Sequence, residues 1–273
     1  MSTWLITGAS SGLGRALAEH VLGAGHHVVA TARDPKVLED LRTAFPETSL
    51  IVPLDVTDSA SIQAAVAAAE ARFGAVDVLV NNAGYGYTAA VEEGEPDAVA
   101  RLFATNFDGP VTLIKAVLPG MRARRTGTIV NMSSVGARIQ FPGAGYYSAV
   151  KAALEGLSGS LRKEVQPLGI RVLVVEPGSF RTDFRGRSAD RSDTTIDDYD
   201  DVLGRNGTGQ FGPQRGEPAK AAAAILQVVE QDDPPGLLLL GSDALAGFKT
   251  ATEDEAQDVA RFEQLSNSTD ADS

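Results

Sequence analysis

The stretch Trp4-Leu5-Ile6-Thr7-Gly8-Ala9-Ser10-Ser11-Gly12-Leu13-Gly14 decides the fold. Its three leading apolar residues read as a buried strand, the glycines as a tight turn, and the run from about Gly12 to Leu22 as a helix. Glycines in such a turn let the backbone approach a pyrophosphate and let the helix pack close to the sheet. The start of the helix adds unpaired N–H groups and a partial positive charge suited to phosphate. An ordinary strand-to-helix turn is the alternative. The position of the glycines at the C-terminal end of a first strand favours the dinucleotide reading.

The same alternation continues outward. Short apolar runs at 28–31, 50–54, 76–80, 128–131, 172–175 and 237–240 read as further strands. Helical patterns separate them: Ile62, Val66, Ala69 and Phe73 share one face, as do Val150, Leu154, Leu157 and Leu161. Strands that are apolar throughout and separated by helices imply parallel pairing with both sheet faces covered. The expected fold class is therefore α/β, a Rossmann-type doubly wound parallel sheet of about seven strands with helices on both faces. Residues 1–251 are expected to form a single dinucleotide-binding catalytic domain, including a polar substrate loop at about 179–218. A short acidic helix and a disordered polar tail are expected over 252–273.

Composition narrows the function classes. A formal net charge of −12 argues against nucleic acid or an anionic membrane as partner. No apolar run reaches the length of a membrane span, and a strand starting at Trp4 leaves no room for a leader peptide, so a cytoplasmic location is expected. Cysteine is absent, which removes disulfides, thiolate metal sites and cysteine nucleophiles. His20, His26 and His27 have no carboxylate cluster nearby in sequence, and no metal site is expected.

Two further features carry chemistry. Tyr147 and Lys151 lie four residues apart at the start of a helical pattern, so phenol and ammonium can point into one cleft. A phenol keeps its proton to pH ~10, and a fixed positive charge beside it brings that value toward neutrality. The end of the second strand reads Thr31-Ala32-Arg33, with no carboxylate to bond the ribose hydroxyls of NAD. A guanidinium there matches a 2′-phosphate. This favours NADP (as NADPH) over NAD, the alternative being an exposed arginine that merely starts a loop.

Together these residues resemble the short-chain dehydrogenase/reductase family, in its shorter single-domain branch. Gly8, Ser10, Ser11, Gly12, Leu13 and Gly14 are similar to its dinucleotide turn, and Asp55-Val56 to its adenine contact. Asn81-Asn82-Ala83-Gly84 resembles the segment that packs under the cofactor, with Asn82, Ala83 and Gly84 as the contacts. Glu176-Pro177-Gly178 followed by Thr182 resembles the nicotinamide-side turn, where Pro177, Gly178 and Thr182 would bind. The resemblance implies Ser134, thirteen positions before Tyr147, as the catalytic serine, and Asn106 as the anchor of a water-mediated proton path. It also implies the reaction, hydride exchange between a ketone or aldehyde and an alcohol. Ser134 would polarise the carbonyl and Tyr147 would act as acid or base. Lys151 would lower the phenol pKa and hold the nicotinamide ribose.

The substrate is less legible. Tyr85, Tyr87, Phe141, Phe180 and Phe184 are candidates to line an apolar pocket, with the long loop as a lid. A 3-oxoacyl thioester reductase remains a second reading, since Arg122, Arg124 and Arg125 could receive an acidic carrier or form a solvated helix end. A catalytically silent dinucleotide-sensing scaffold is a third. The ending Gly241-Ser242-Asp243-Ala244 lacks the Asp-Gly-Gly of many family tetramers, so the expected homo-oligomer is a dimer.

Overall fold

The computed structural model describes residues 1–186, 189–205 and 214–271. Its centre is a seven-stranded sheet built from β1 (Thr3–Ile6), β2 (His27–Ala32), β3 (Ser49–Pro53), β4 (Val78–Asn81), β6 (Gly127–Met132), β7 (Ile170–Pro177) and β9 (Leu237–Leu240). The order is β3-β2-β1-β4-β6-β7-β9, and every adjacent pair is parallel. All seven strands expected from the apolar runs are present.

Alternation along each strand divides the core between two layers. Trp4 and Ile6 face the side covered by α1 (Gly12–Gly23), α2 (Glu39–Ala44) and α7 (Pro218–Val229). Leu5 faces the other side, where α3 (Ser59–Phe73), α5 (Gly109–Arg124) and the end of α6 (Gly145–Val165) pack through Ile62, Val66, Leu113, Val117, Leu161 and Val165. Both faces are dry, so β1 reads as an unbroken apolar run.

The chain reverses its winding direction between β1 and β4, and that switch opens a crevice at the C-terminal strand ends, where doubly wound sheets bind ligands. The turns after β1, β4, β6 and β7 all end there. Between α4 (Pro96–Phe103) and α5 one wide π turn, Ala104–Asp108, inserts into the helix. Such turns are frequent at functional sites.

In the long polar segment after β7, residues 187–188 and 206–213 lie outside the described residues. Its strand β8 (Ala189–Arg191) pairs in parallel with β5 (Gly86–Thr88), forming a second small sheet. Buried Glu93 accepts hydrogen bonds from the Ile196 amide at 2.7 Å and Arg205 Nη1 at 2.9 Å. Glu95 accepts from the Asp193 and Thr194 amides at 3.0 and 3.2 Å. Two acids thus latch this segment to the 86–95 stretch, a pairing of distant residues that local patterns do not encode.

The last helix, α8, already begins at Ser242 and runs unbroken to Asn267, so position 252 falls inside it and Ser266 belongs to it. Of the expected tail, residues 272 and 273 lie outside the described residues. Among the described residues no helix is long and apolar enough to cross a membrane.

Gly14 is packed so closely that a Cβ would clash with the Asn82 amide and lie 2.5 Å from the Gly8 carbonyl oxygen. Gly14→Ala is expected to cost ~1–3 kcal/mol of stability through this overpacking, measurable by urea denaturation.

Candidate active site

The glycine turn is held in place from the neighbouring strand. Asn82, just past β4, donates from Nδ2 to the Thr7 and Gly8 carbonyls at 2.8 and 3.1 Å. Thr7 Oγ1 accepts from the Asn82 and Ala83 amides, both at 2.9 Å. Gly8 and Gly12 have φ of +65° and +60°, values that favour glycine. Ser11 leads into α1 without a side-chain cap, so the first N–H groups of the helix point at the cavity unpaired by any cap.

That cavity, about 780 Å³, runs along the strand ends. Gly8, Ser10, Ser11, Gly12 and Leu13 border it from one side, with Arg33, Asp55, Val56, Asn82, Ala83 and Gly84 beyond them. Ser134, Tyr147, Pro177, Gly178 and Thr182 close the other side. Gly14, Asn106 and Lys151 stand behind the wall. Gly14 supports the turn, and the other two are buried side chains, 1% and 6% exposed. The residues singled out from sequence therefore converge on one crevice. Asp55 differs in detail: its carboxylate accepts from the Thr57 amide and hydroxyl at 2.9 and 2.7 Å, which holds its pKa below the usual carboxylate range. Arg33 is exposed at the rim, beside buried Ala32.

The reacting end is built on β6 and α6. Ser134 ends the strand in extended conformation, and its Oγ accepts from the Gly136 amide at 3.0 Å. Buried Asn131 fastens strand to helix, donating to Ser158 Oγ at 2.8 Å and accepting from Asn81 Nδ2 at 2.8 Å. Lys151 Nζ donates to the Met132 carbonyl at 2.9 Å and sits 5.7 Å from the centre of the Tyr147 ring. Burial lowers the lysine to about 8, with Glu155 opposing the shift. Burial pushes the Tyr147 phenol up to about 12, with the Ser134 hydroxyl opposing the shift.

Asn106 sits in the wide turn, and its Nδ2 donates to the Leu102 and Tyr85 carbonyls at 3.1 and 3.3 Å. Its Oδ1 is buried and receives no donor within the protein. Gly84 separates it from Lys151: a Cβ there would lie 2.5 Å from Asn106 Oδ1 and 3.6 Å from Lys151 Nζ. The missing side chain leaves a polar gap between them.

Of the aromatic residues proposed as pocket lining, Tyr85, Phe180 and Phe184 border the cavity, and the Phe184 ring lies 5.9 Å from that of Tyr147. Tyr87 does not: it is 2% exposed, packed among Ala98, Leu102 and Val150. Phe141 lies outside the lining. Sequence reading missed Arg101, Asp183, Asp190 and Gln214, which give the mouth a polar character. Only Arg101 carried a sequence signal, one helical turn and a bulge before Asn106. The arginines at the end of α5 are at the opposite end of the sheet. Arg124 donates to the Val76 carbonyl at 2.9 Å, ahead of β4, and Arg125 to the Pro167 carbonyl at 3.2 Å.

Comparison with known proteins agrees with this architecture. The oxidoreductase BOA17 of Botryotinia fuckeliana (strain B05.10) is 38% identical over 267 residues, covering 96% of this chain and 97% of the relative. A solved short-chain dehydrogenase from Streptomyces avermitilis superimposes with a TM-score of 0.93 at 42% identity, covering 99% of this chain and all of that one. A short chain dehydrogenase from Burkholderia cenocepacia J2315, solved in complex with NADP, gives a TM-score of 0.75 at 25% identity over 95% of this chain and 96% of its own. The family described as short chain dehydrogenase matches residues 2–193, and the chain belongs to that family of oxidoreductases.

Proposed function

We propose that this protein reduces a ketone or aldehyde with NADPH, or runs the reverse oxidation, using Tyr147, Ser134, Lys151 and Asn106. One observation carries the reading. Ser134 and Tyr147 face a single cavity whose other end is an uncapped helix start with Arg33 at the rim. A dinucleotide fits the residues present: the unpaired N–H groups suit its pyrophosphate. Ala32-Arg33 suits a 2′-phosphate, consistent with the NADP held by the Burkholderia relative. When bound, the nicotinamide supplies or accepts the hydride.

The chain supplies everything else. Hydride arrival at a carbonyl carbon builds negative charge on its oxygen, and the hydroxyls of Ser134 and Tyr147 stabilise it by hydrogen bonds. Tyr147 then gives its proton. A phenol held near pKa 12 is a weak base until positive charge approaches it, so the protein alone rests in the proton-loaded form. Lys151 stands over the ring, and its ammonium stabilises the phenolate that proton transfer leaves behind. Asn106 Oδ1 and the gap at Gly84 are suited to anchor a water that returns the proton from solvent. The segment latched by Glu93 and Glu95 forms one wall of the substrate mouth and carries Asp190.

The carrier-linked thioester reading loses its main support, because Arg124 and Arg125 are tied to backbone at the far end of the sheet. Tyr85, Phe180 and Phe184 favour a partly apolar or aromatic substrate of medium size.

Tyr147→Phe is expected to lower kcat by about 10²–10⁴-fold, the usual worth of a general acid, with cofactor affinity nearly unchanged in fluorescence titration. Near-normal turnover would sink the assignment. Arg33→Ala is expected to weaken NADPH binding by ~1.5–3 kcal/mol and leave NADH nearly unaffected. Equal losses for both cofactors in parallel titrations would reduce Arg33 to a surface residue.

A further inference from the structure

Beside the reacting residues lies a second charged cluster that the proposed chemistry leaves unused. Glu155, one helical turn beyond Lys151 on α6, and Glu176, at the end of β7, meet around the guanidinium of Arg138. The Glu176 side chain is 0% exposed; its Oε1 accepts from Arg138 Nε at 2.8 Å, while Oε2 is buried with no donor. Glu155 Oε1 accepts from Ser133 Oγ at 2.5 Å, and its Oε2 lies 3.2 Å from Arg138 Nη2. Both carboxylates thus meet at one guanidinium, through its Nη2 and Nε.

One guanidinium cannot neutralise two carboxylates that both sit against it, one of them fully buried. With both ionised, the like charges gathered at Arg138 would repel, and Glu176 Oε2 would stay an unsatisfied buried acceptor. One proton between the groups removes both costs. We propose that Glu155 and Glu176 share one proton, and that this acid pair is a positioning device that fixes Ser133 beside Ser134 and sets the charge one turn from Lys151. The last clause rests on the function proposed above; the shared proton does not.

The surroundings agree. Ser133 reaches Glu155 from the end of β6, Arg138 from the following turn, Glu176 from β7 and Lys151 along α6. From α8, Phe248 stacks 5.1 Å from Arg138, and Glu255 acts on the same guanidinium. Arg138, Arg162 and Glu155 share the lining of a cavity of about 380 Å³. Burial, with Glu176 adding to it, pushes Glu155 up to about 7. Glu155 therefore loses its proton near neutrality, and the added negative charge helps Lys151 stay protonated as pH rises.

Infrared difference spectra of the full chain between pH 5 and 9, without substrate, test the proton directly. A carboxylic C=O band that titrates near pH 7 in the wild type and is absent in Glu155→Gln is expected. Absence of any such band above pH 6 in the wild type overturns the proposal. Stability gives a second readout. The folded state keeps a proton that the unfolded chain releases near 4.5, so stability falls as pH rises from there to about 7 and then levels. Glu155→Gln and Glu176→Gln each replace one partner with an uncharged amide of similar shape, and each is expected to flatten that slope; an unchanged slope in both counts against sharing. For the link to Lys151, the alkaline limit of kcat/KM in Glu155→Gln should move down by roughly one pH unit. An unmoved limit overturns that link. A wild type that turns over normally without the band fails this proposal alone, and a wild type that shows the band without turnover fails the proposed reaction alone.

Discussion

The constraint on which the site depends is the clasp between the ends of β1 and β4. Four hydrogen bonds join Thr7-Gly8 to Asn82-Ala83, two of them between Thr7 and Asn82, and these fix where the glycine turn stands relative to the centre of the sheet. The turn alone has backbone freedom in excess, since Gly8 and Gly12 adopt conformations few other residues tolerate. Asn82 removes that freedom from outside. The helix start it orients faces the cavity, and the next strand, β6, carries Ser134 to the same level.

Burial does two opposed things at the reacting end. It keeps the Tyr147 phenol protonated and makes the Lys151 ammonium easier to lose. Hydrogen bonds and nearby charge act against both shifts. The Met132 carbonyl holds the ammonium, and Glu155 opposes its loss. A tyrosine and lysine at helical spacing are thus only the visible part of a set that includes a strand carbonyl, a buried carboxyl pair and the asparagine of the π turn.

The wide turn at Ala104–Asp108 shows the same economy. It breaks the regular ladder between α4 and α5, so that Asn106 is buried with an acceptor left over. Gly84 completes the arrangement by contributing nothing but space.

Much of this was legible in the chain. Strands apolar throughout can be stable only when both faces are covered, so the runs from Trp4 to Leu240 specified the parallel sheet, and the glycines after β1 marked its ligand end. Tyr147 and Lys151 could be located because helical spacing puts them on one face, whereas Ser134 and Asn106 were marked only by the resemblance of their motifs to the family. The remainder depended on contacts between residues distant in sequence. Tyr87 turned into the core while Tyr85 faced the cavity, although strand alternation would put residues two apart on one face; Tyr85 precedes β5 and is free of its pleat. The latch of Glu93 and Glu95 on residues 192–205, the polar mouth at Arg101 and Asp190, and the meeting of Glu155 with Glu176 each join separate elements. Sequence periodicity fixes which face of an element a side chain takes. What that face meets, and so what happens to its charge, is decided only when the elements close on one another.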